Sequence, residues 1–231
     1  MTTLTPTRDT GATTKPSPTL YVEPARAVDD QMLSAPFEGM KVNGPFIADL
    51  LSAALTHERC GTHLYRSVAG RTNNPVLKAR YEELGSETEH HVELLEGAIA
   101  AIGGDPQYVS PAARAVQGMD TAILESTFRA DGTMDVMVSE MAMLDAVLLA
   151  ETVDHANWAN LAQLCEALPE GEVRDALTAA AVEVGPQEDE HLEWASDMKA
   201  KMTRLQATSP TMATVGTKAE EMMATVKGWF S

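Results

Sequence analysis

Four glutamates and two histidines carry the chemistry open to this sequence. Glu58, Glu87, Glu151 and Glu188 each fall within a segment of helical hydrophobic periodicity, and His91 and His191 follow about one turn behind Glu87 and Glu188. Carboxylates bridge two cations and offset their charge. Neutral imidazole caps each ion and favours Fe, Mn or Zn over Mg or Ca. The set therefore suits a pair of first-row metal ions. Open positions on such a pair would admit O2 or peroxide.

Facing directions support the choice. At about 100° per residue, helix one places Ile47, Leu51, Ala54, Tyr65 and Ala69 on one stripe with Glu58 at its centre. Helix three does the same for Glu151 among Met137, Leu144, Leu148, Trp158, Ala162 and Cys165. On helix four His191 is central and Glu188 lies one turn back; on helix two His91 falls on the stripe and Glu87 on its edge. A carboxylate on an apolar stripe is costly unless paired or metal-bound. One in each of four helices is hard to ascribe to a mis-set face. The competing reading is surface Glu and His residues with an interior Glu–His hydrogen-bond network. His155, four residues after Glu151, is roughly inward: an extra ligand, a donor behind one, or an interior hydrogen-bonded histidine. Glu140 also faces inward, towards a possible access route. His57 and His63 face outward and read as surface.

The elements that position these residues are all helical. Asn43-Gly44-Pro45 starts a helix that runs to about Ala69 with Gly70 as its stop. Asn74-Pro75 starts the second, which ends at Gly103-Gly104. Ser110-Pro111 opens an extra helix to about Arg129 within the long connection. Asp131-Gly132-Thr133 caps the third main helix, which stops at Pro169. The fourth runs from near Gly171 to about Leu205, and Gly185-Pro186 should interrupt it. Glu58 and Glu87 lie about 14 residues either side of the turn near residue 72, and Glu151 and Glu188 about 18 either side of Pro169, so each pair should sit level across its hairpin. The expected domain is an all-α, up-down four-helix bundle over 45–205, with a long crossover between helices two and three.

Composition excludes some classes. A net charge of −17 disfavours nucleic acid and anionic membrane. No stretch approaches the roughly 20 apolar residues of a membrane helix, and no secretory signal opens the chain. A cytoplasmic protein is the expectation. Cys60 and Cys165 stand alone and read as buried reduced thiols. Residues 1–44 read as a disordered Thr/Pro-rich tail. Residues 206–231 read as a linker and a short amphipathic helix that packs on the bundle or a neighbour. A solvated tail is the plain expectation for the N-terminal segment; docking of a protein partner through either tail is the alternative.

The region 45–205 resembles the ferritin-like superfamily, which includes bacterioferritin, rubrerythrin and related di-iron carboxylate proteins, with manganese catalase a cousin. The family pattern is Glu, ExxH, Glu, ExxH on successive helices. Glu58 and Glu151 match the single glutamates, and Glu188-Asp189-Glu190-His191 matches the last motif. Helix two departs. Glu87-Thr88-Glu89-His90 satisfies ExxH literally, so the motif favours His90, while periodicity favours His91. Tyr65 matches the tyrosine that ferritins place beside the site, a redox donor or hydrogen-bond partner. The resemblance implies ferroxidase or peroxidase-like chemistry at two metal ions, iron first and manganese second, in a homo-oligomer, with a dimer expected. Iron binding, storage or a cargo role without turnover, manganese catalase activity and a metal-free structural role are the alternatives.

Overall fold

The computed structural model describes residues 35–130 and 136–208. Five helices follow a 3-10 turn at Ala35–Phe37: α1 (Gly44–Arg71), α2 (Pro75–Ala101), α3 (Pro111–Arg129), α4 (Val136–Ala167) and α5 (Glu172–Thr208). Among the described residues there is no strand. The starts are chemically marked. Asn43 accepts from the Phe46 amide, Asn74 from Val76 and Leu77, and Ser110 from Ala113, each just before a proline in the first turn. These side chains satisfy amides that no helical carbonyl reaches.

Cross-links fix the directions. Arg59 reaches Glu96 and Arg66 reaches Glu89, so α1 and α2 are antiparallel. Lys199 pairs with Asp145 and His155 with Asp189, which makes α4 and α5 antiparallel as well. Trp158 meets Glu58 and Tyr65 meets Glu151, so α1 and α4 also oppose each other. Arg80 reaches Glu190 while His90 reaches Glu183, which opposes α2 and α5. With those directions α4 must begin at the opposite end from where α2 stops. The crossover helix α3 covers that distance, running beside α1 from Ser110 near Asp49 to Thr127 near Arg71.

Two apolar clusters fill the interior. One holds Leu64, Val68, Leu84, Leu144, Val147 and Met202; the other holds Leu51, Leu55, Leu95, Leu161, Leu177 and Val184. Along each long helix the break between the clusters falls at the candidate ligands. The polar residues thus occupy one layer between two dry cores. Gly61 and Gly85 let α1 and α2 approach at this level. A Cβ at Gly61 would stand 3.2 Å from Thr88 Cγ2, and one at Gly85 3.0 Å from Tyr65 Cβ.

Three sequence expectations need correction. The ordered chain starts before residue 44, because Phe37 is buried in the second cluster. Gly70 does not stop α1, which continues to Arg71 and closes with the Thr72 amide on the Val68 carbonyl. Gly185-Pro186 does not divide α5. Pro186 and Val182, whose carbonyl loses its donor, both lie on the exposed face, so the lost bond is not lost in the core. The amphipathic helix expected near the C-terminus lies outside the described residues. No helix among the described residues is long and apolar enough to cross a membrane.

Candidate metal centre

Two triads of donor side chains meet between the clusters. Glu58, His91 and Glu188 form one; Glu151, Glu188 and His191 form the other. All five residues are at most 3 % exposed. Glu188 is common to both. His91 Nδ1 lies 3.0 Å from Glu188 Oε1 and 3.8 Å from Glu58 Oε1. His191 Nδ1 lies 3.4 Å from Glu151 Oε2 and 3.5 Å from Glu188 Oε1. The two rings stack with centroids 5.6 Å apart.

The supports of the two triads are reciprocal. Tyr65 and Trp158 each follow the glutamate of their own helix by two turns. Tyr65 donates its hydroxyl to Glu151 Oε1 at 2.5 Å, and Trp158 donates its indole N–H to Glu58 Oε1 at 2.5 Å. Glu87 and Gln187 each precede the histidine of their own helix by about one turn. His191 Nε2 donates to Glu87 Oε2 at 2.7 Å, and His91 Nε2 to Gln187 Oε1 at 2.9 Å. The Gln187 amide group in turn donates to the Glu183 carbonyl, which fixes its oxygen towards His91. The pairs α1–α2 and α4–α5 are thus related by an approximate two-fold through the site.

This arrangement ties down one atom of Glu58, His91, Glu151 and His191 and leaves the other without a partner, while Glu188 has neither oxygen engaged. With Nε2–H engaged, an imidazole in its neutral form turns a lone pair at Nδ1 inward, the form a metal ion would select. Glu58 Oε2, His91 Nδ1, Glu151 Oε2, both oxygens of Glu188 and His191 Nδ1 are buried without a hydrogen-bond partner in the protein. Native interiors rarely leave one such group unsatisfied. Here six converge.

The electrostatics report the same crowding. Burial, then Asp154 and Glu188, push the Glu58 carboxyl well above the usual carboxylate range, against the Trp158 hydrogen bond. Burial and Glu151 raise Glu188 to about 8. Burial lowers His91, opposed by its bond to Gln187. Burial would also lower His191, but Glu151, Glu188 and Glu87 more than offset it and raise that ring to about 9. Burial and Glu151 raise the Tyr65 phenol far above its ordinary value, so it stays a neutral donor. Each buried carboxylate costs several kcal/mol in the ionised form, so the layer needs either protons or cations.

Other candidates stand elsewhere. Glu87 is in neither triad: its side chain is 37 % exposed and it sits behind His191, because the edge of the α2 stripe faces α5 rather than the centre. His90 points to solvent and to Glu183, so of the two neighbours His91 is the one in the layer. His155 is half-exposed at the α4–α5 edge and pairs with Asp189 at 2.8 Å. Glu140 is fully buried but accepts from the Thr72 hydroxyl and the Asn73 amide, which makes it the cap of the α1–α2 turn. His63 is exposed. His57 is not surface. It is 2 % exposed, 3.0 Å from Asp120 of α3 and 3.1 Å from the Ala150 carbonyl of α4. It does face away from the centre, but α3 covers that side. Cys165 is buried and Cys60 half-buried, both as free thiols.

Asp154 is not among the residues the sequence singles out. It is 6 % exposed and lies on the inward stripe of α4 between Glu151 and Trp158. Its signal was present in the alternating three- and four-residue steps Leu144, Val147, Glu151, Asp154, Trp158 and Leu161.

One family matches residues 46–208, from the start of α1 to the end of α5 and spanning the whole donor layer. It is described as a domain of unknown function, DUF892. The chain belongs to the DUF892 family. No curated protein and no solved structure matched it. In this DUF892 chain both triads and all four of their supporting side chains lie inside the matched region.

Proposed function

We propose that this chain is a ferritin-like dimetal carboxylate protein whose bound ions react with O2 or peroxide. The observation that carries the reading is the set of buried donor atoms without partners between Glu58, His91, Glu151, Glu188 and His191. A cation at each triad would satisfy them. Glu58 and His91 would hold one ion, Glu151 and His191 the other, and Glu188 would bridge. The antiparallel hairpins joined by a long crossover fit the ferritin-like arrangement. A mixed oxygen and nitrogen donor set suits Fe, Mn or Zn, and the ferritin-like resemblance puts iron first and manganese second. Bound there, such ions would supply one-electron redox chemistry. The chain's own part is to exclude water with two apolar clusters, to fix imidazole orientation through Glu87 and Gln187, and to hold Glu58 and Glu151 through Trp158 and Tyr65.

Metal analysis of protein purified without added metal tests the site. Two ions per chain are expected, with the one at Glu58 and His91 lost in Glu58→Ala. Less than about 0.2 ion per chain, with Glu58→Ala no different, would sink the site. Stopped-flow absorbance of the iron-loaded protein with O2 and with peroxide tests the chemistry. Decay no faster than without protein would reject oxidoreductase function and leave iron binding alone.

A further inference from the structure

The approximate two-fold that relates the supports breaks down at one place. Three residues before His191 stands Glu188; three before His91 stands Thr88, whose hydroxyl is spent on the Leu84 carbonyl at 2.9 Å. Three residues after Glu151 stands Asp154; three after Glu58 stands Gly61. Gly61 faces Thr88 across the α1–α2 contact. One face of the layer therefore has two small groups where the other has two carboxylates.

Asp154 Oδ1 is buried and has no partner in the protein. The side chain lies between two residues that both touch the centre. Glu151 belongs to one triad, and Trp158 both donates to Glu58 and packs its ring 6.1 Å from His91. His57 is close by but cannot serve as the partner, since Asp120 and the Ala150 carbonyl occupy its two nitrogens.

We propose that Asp154 is a further ligand of the ion held by Glu58, His91 and Glu188, standing in for the carboxylate that α2 lacks at Thr88. The inference rests on the dimetal reading. Asp154 belongs to neither triad with the side chains as they stand, so loading includes a swing of its carboxylate. The consequence is two unlike sites: one ion with three carboxylates and His91, the other with two carboxylates and His191.

The test is titration of the full-length, chelator-treated chain with Co(II), read by calorimetry and visible absorption, alongside thermal melts of the apo and loaded forms. Wild type takes two ions. Asp154→Asn and Asp154→Ala should each weaken one of the two sites by about tenfold or more and leave the other unchanged. Asp154→Glu, which keeps the carboxylate, should retain both. The apo form of Asp154→Asn should melt no lower than wild type, because a buried carboxylate has been removed from its like neighbours, while its cobalt-induced rise in melting temperature shrinks. Two unchanged affinities in Asp154→Asn, or in Asp154→Ala where the Asn variant does not fold, overturn the inference and leave the dimetal reading standing. An apo form that melts lower with both affinities intact assigns Asp154 a packing role only. A wild-type chain that binds no cobalt overturns the dimetal reading itself.

Discussion

The Tyr65 hydroxyl of α1 donates to Glu151 Oε1 of α4 at 2.5 Å, and this leaves Oε2 as the oxygen of Glu151 without a partner. Trp158 treats Glu58 in the same way from the other side. Each glutamate is thereby oriented by a residue two turns along the opposite helix. Removing a donor that orients a ligand typically weakens a metal site by about 10–100-fold. Tyr65→Phe should therefore weaken the ion at Glu151 and His191, and Trp158→Phe the ion at Glu58 and His91. Cobalt titration resolves the two. Equal losses at both sites from either variant would show that the supports do not act separately.

Much of this was legible in the sequence, and the omissions share a physical cause. A 3.6-residue period finds the face that points to the centre of four helices, so Glu58, His91, Glu151, Glu188 and His191 could all be placed from it. It says nothing about a fifth helix. His57 points away from that centre and is nonetheless buried, because α3 covers it and brings Asp120. Glu87 stands outside both triads because a stripe's edge can face a neighbouring helix instead of the core. Pro186 leaves α5 whole because its effect depends on whether the orphaned carbonyl is open to solvent, and exposure is a tertiary property. Asp154 sat in a perfect core register, where an aspartate argues for chemistry as strongly as a glutamate does.

Glu87 and Gln187 occupy matching positions, yet one is an acid and the other an amide. A carboxylate behind an imidazole makes the ring a stronger ligand than an amide does. Glu87→Gln should keep both ions bound and weaken only the His191 site, by about tenfold at most. Glu188→Gln removes a donor shared by both triads and should cost both ions. Metal content by mass spectrometry after gel filtration separates the cases. If Glu87→Gln loses metal as completely as Glu188→Gln, then Glu87 is a direct ligand.

The metal-free protein should lose stability as pH rises. Folded Glu188 keeps its proton to about 8, against an ordinary 4.5, and folded His191 keeps its proton to about 9, against 6.5. Between each pair of values the folded chain binds more protons than the unfolded chain, so unfolding becomes easier with increasing pH. The His191 contribution disappears between about pH 6.5 and 9. Melting temperature in chelator should fall across that window by on the order of 5 °C. Added metal should reverse the slope, since an ion competes with protons for the same atoms. A flat profile in chelator would remove the basis for this picture of the empty layer.

His57 ties the crossover to the bundle just behind the metal layer. Both ring nitrogens face acceptors, Asp120 and the Ala150 carbonyl, so the ring carries both protons and its pKa rises to about 9; burial opposes this, and the Asp120 bond, the charges of Asp154 and Asp120 and the Ala150 carbonyl together outweigh it. The pair is almost dry, with side chains 3 % and 6 % exposed. Breaking a buried ion pair from one side costs about 3–5 kcal/mol, because the charge left behind has no partner. Asp120→Ala should therefore lower the melting temperature by roughly 6–20 °C for a domain of this size. Replacing both partners, as in His57→Leu with Asp120→Leu, should recover much of the loss, since no charge is then stranded. Neither variant removes a donor from the two triads, so both should still bind two ions once folded at low temperature. If Asp120→Ala keeps its stability but loses one ion, then His57 acts on the metal layer and is not merely the anchor of α3.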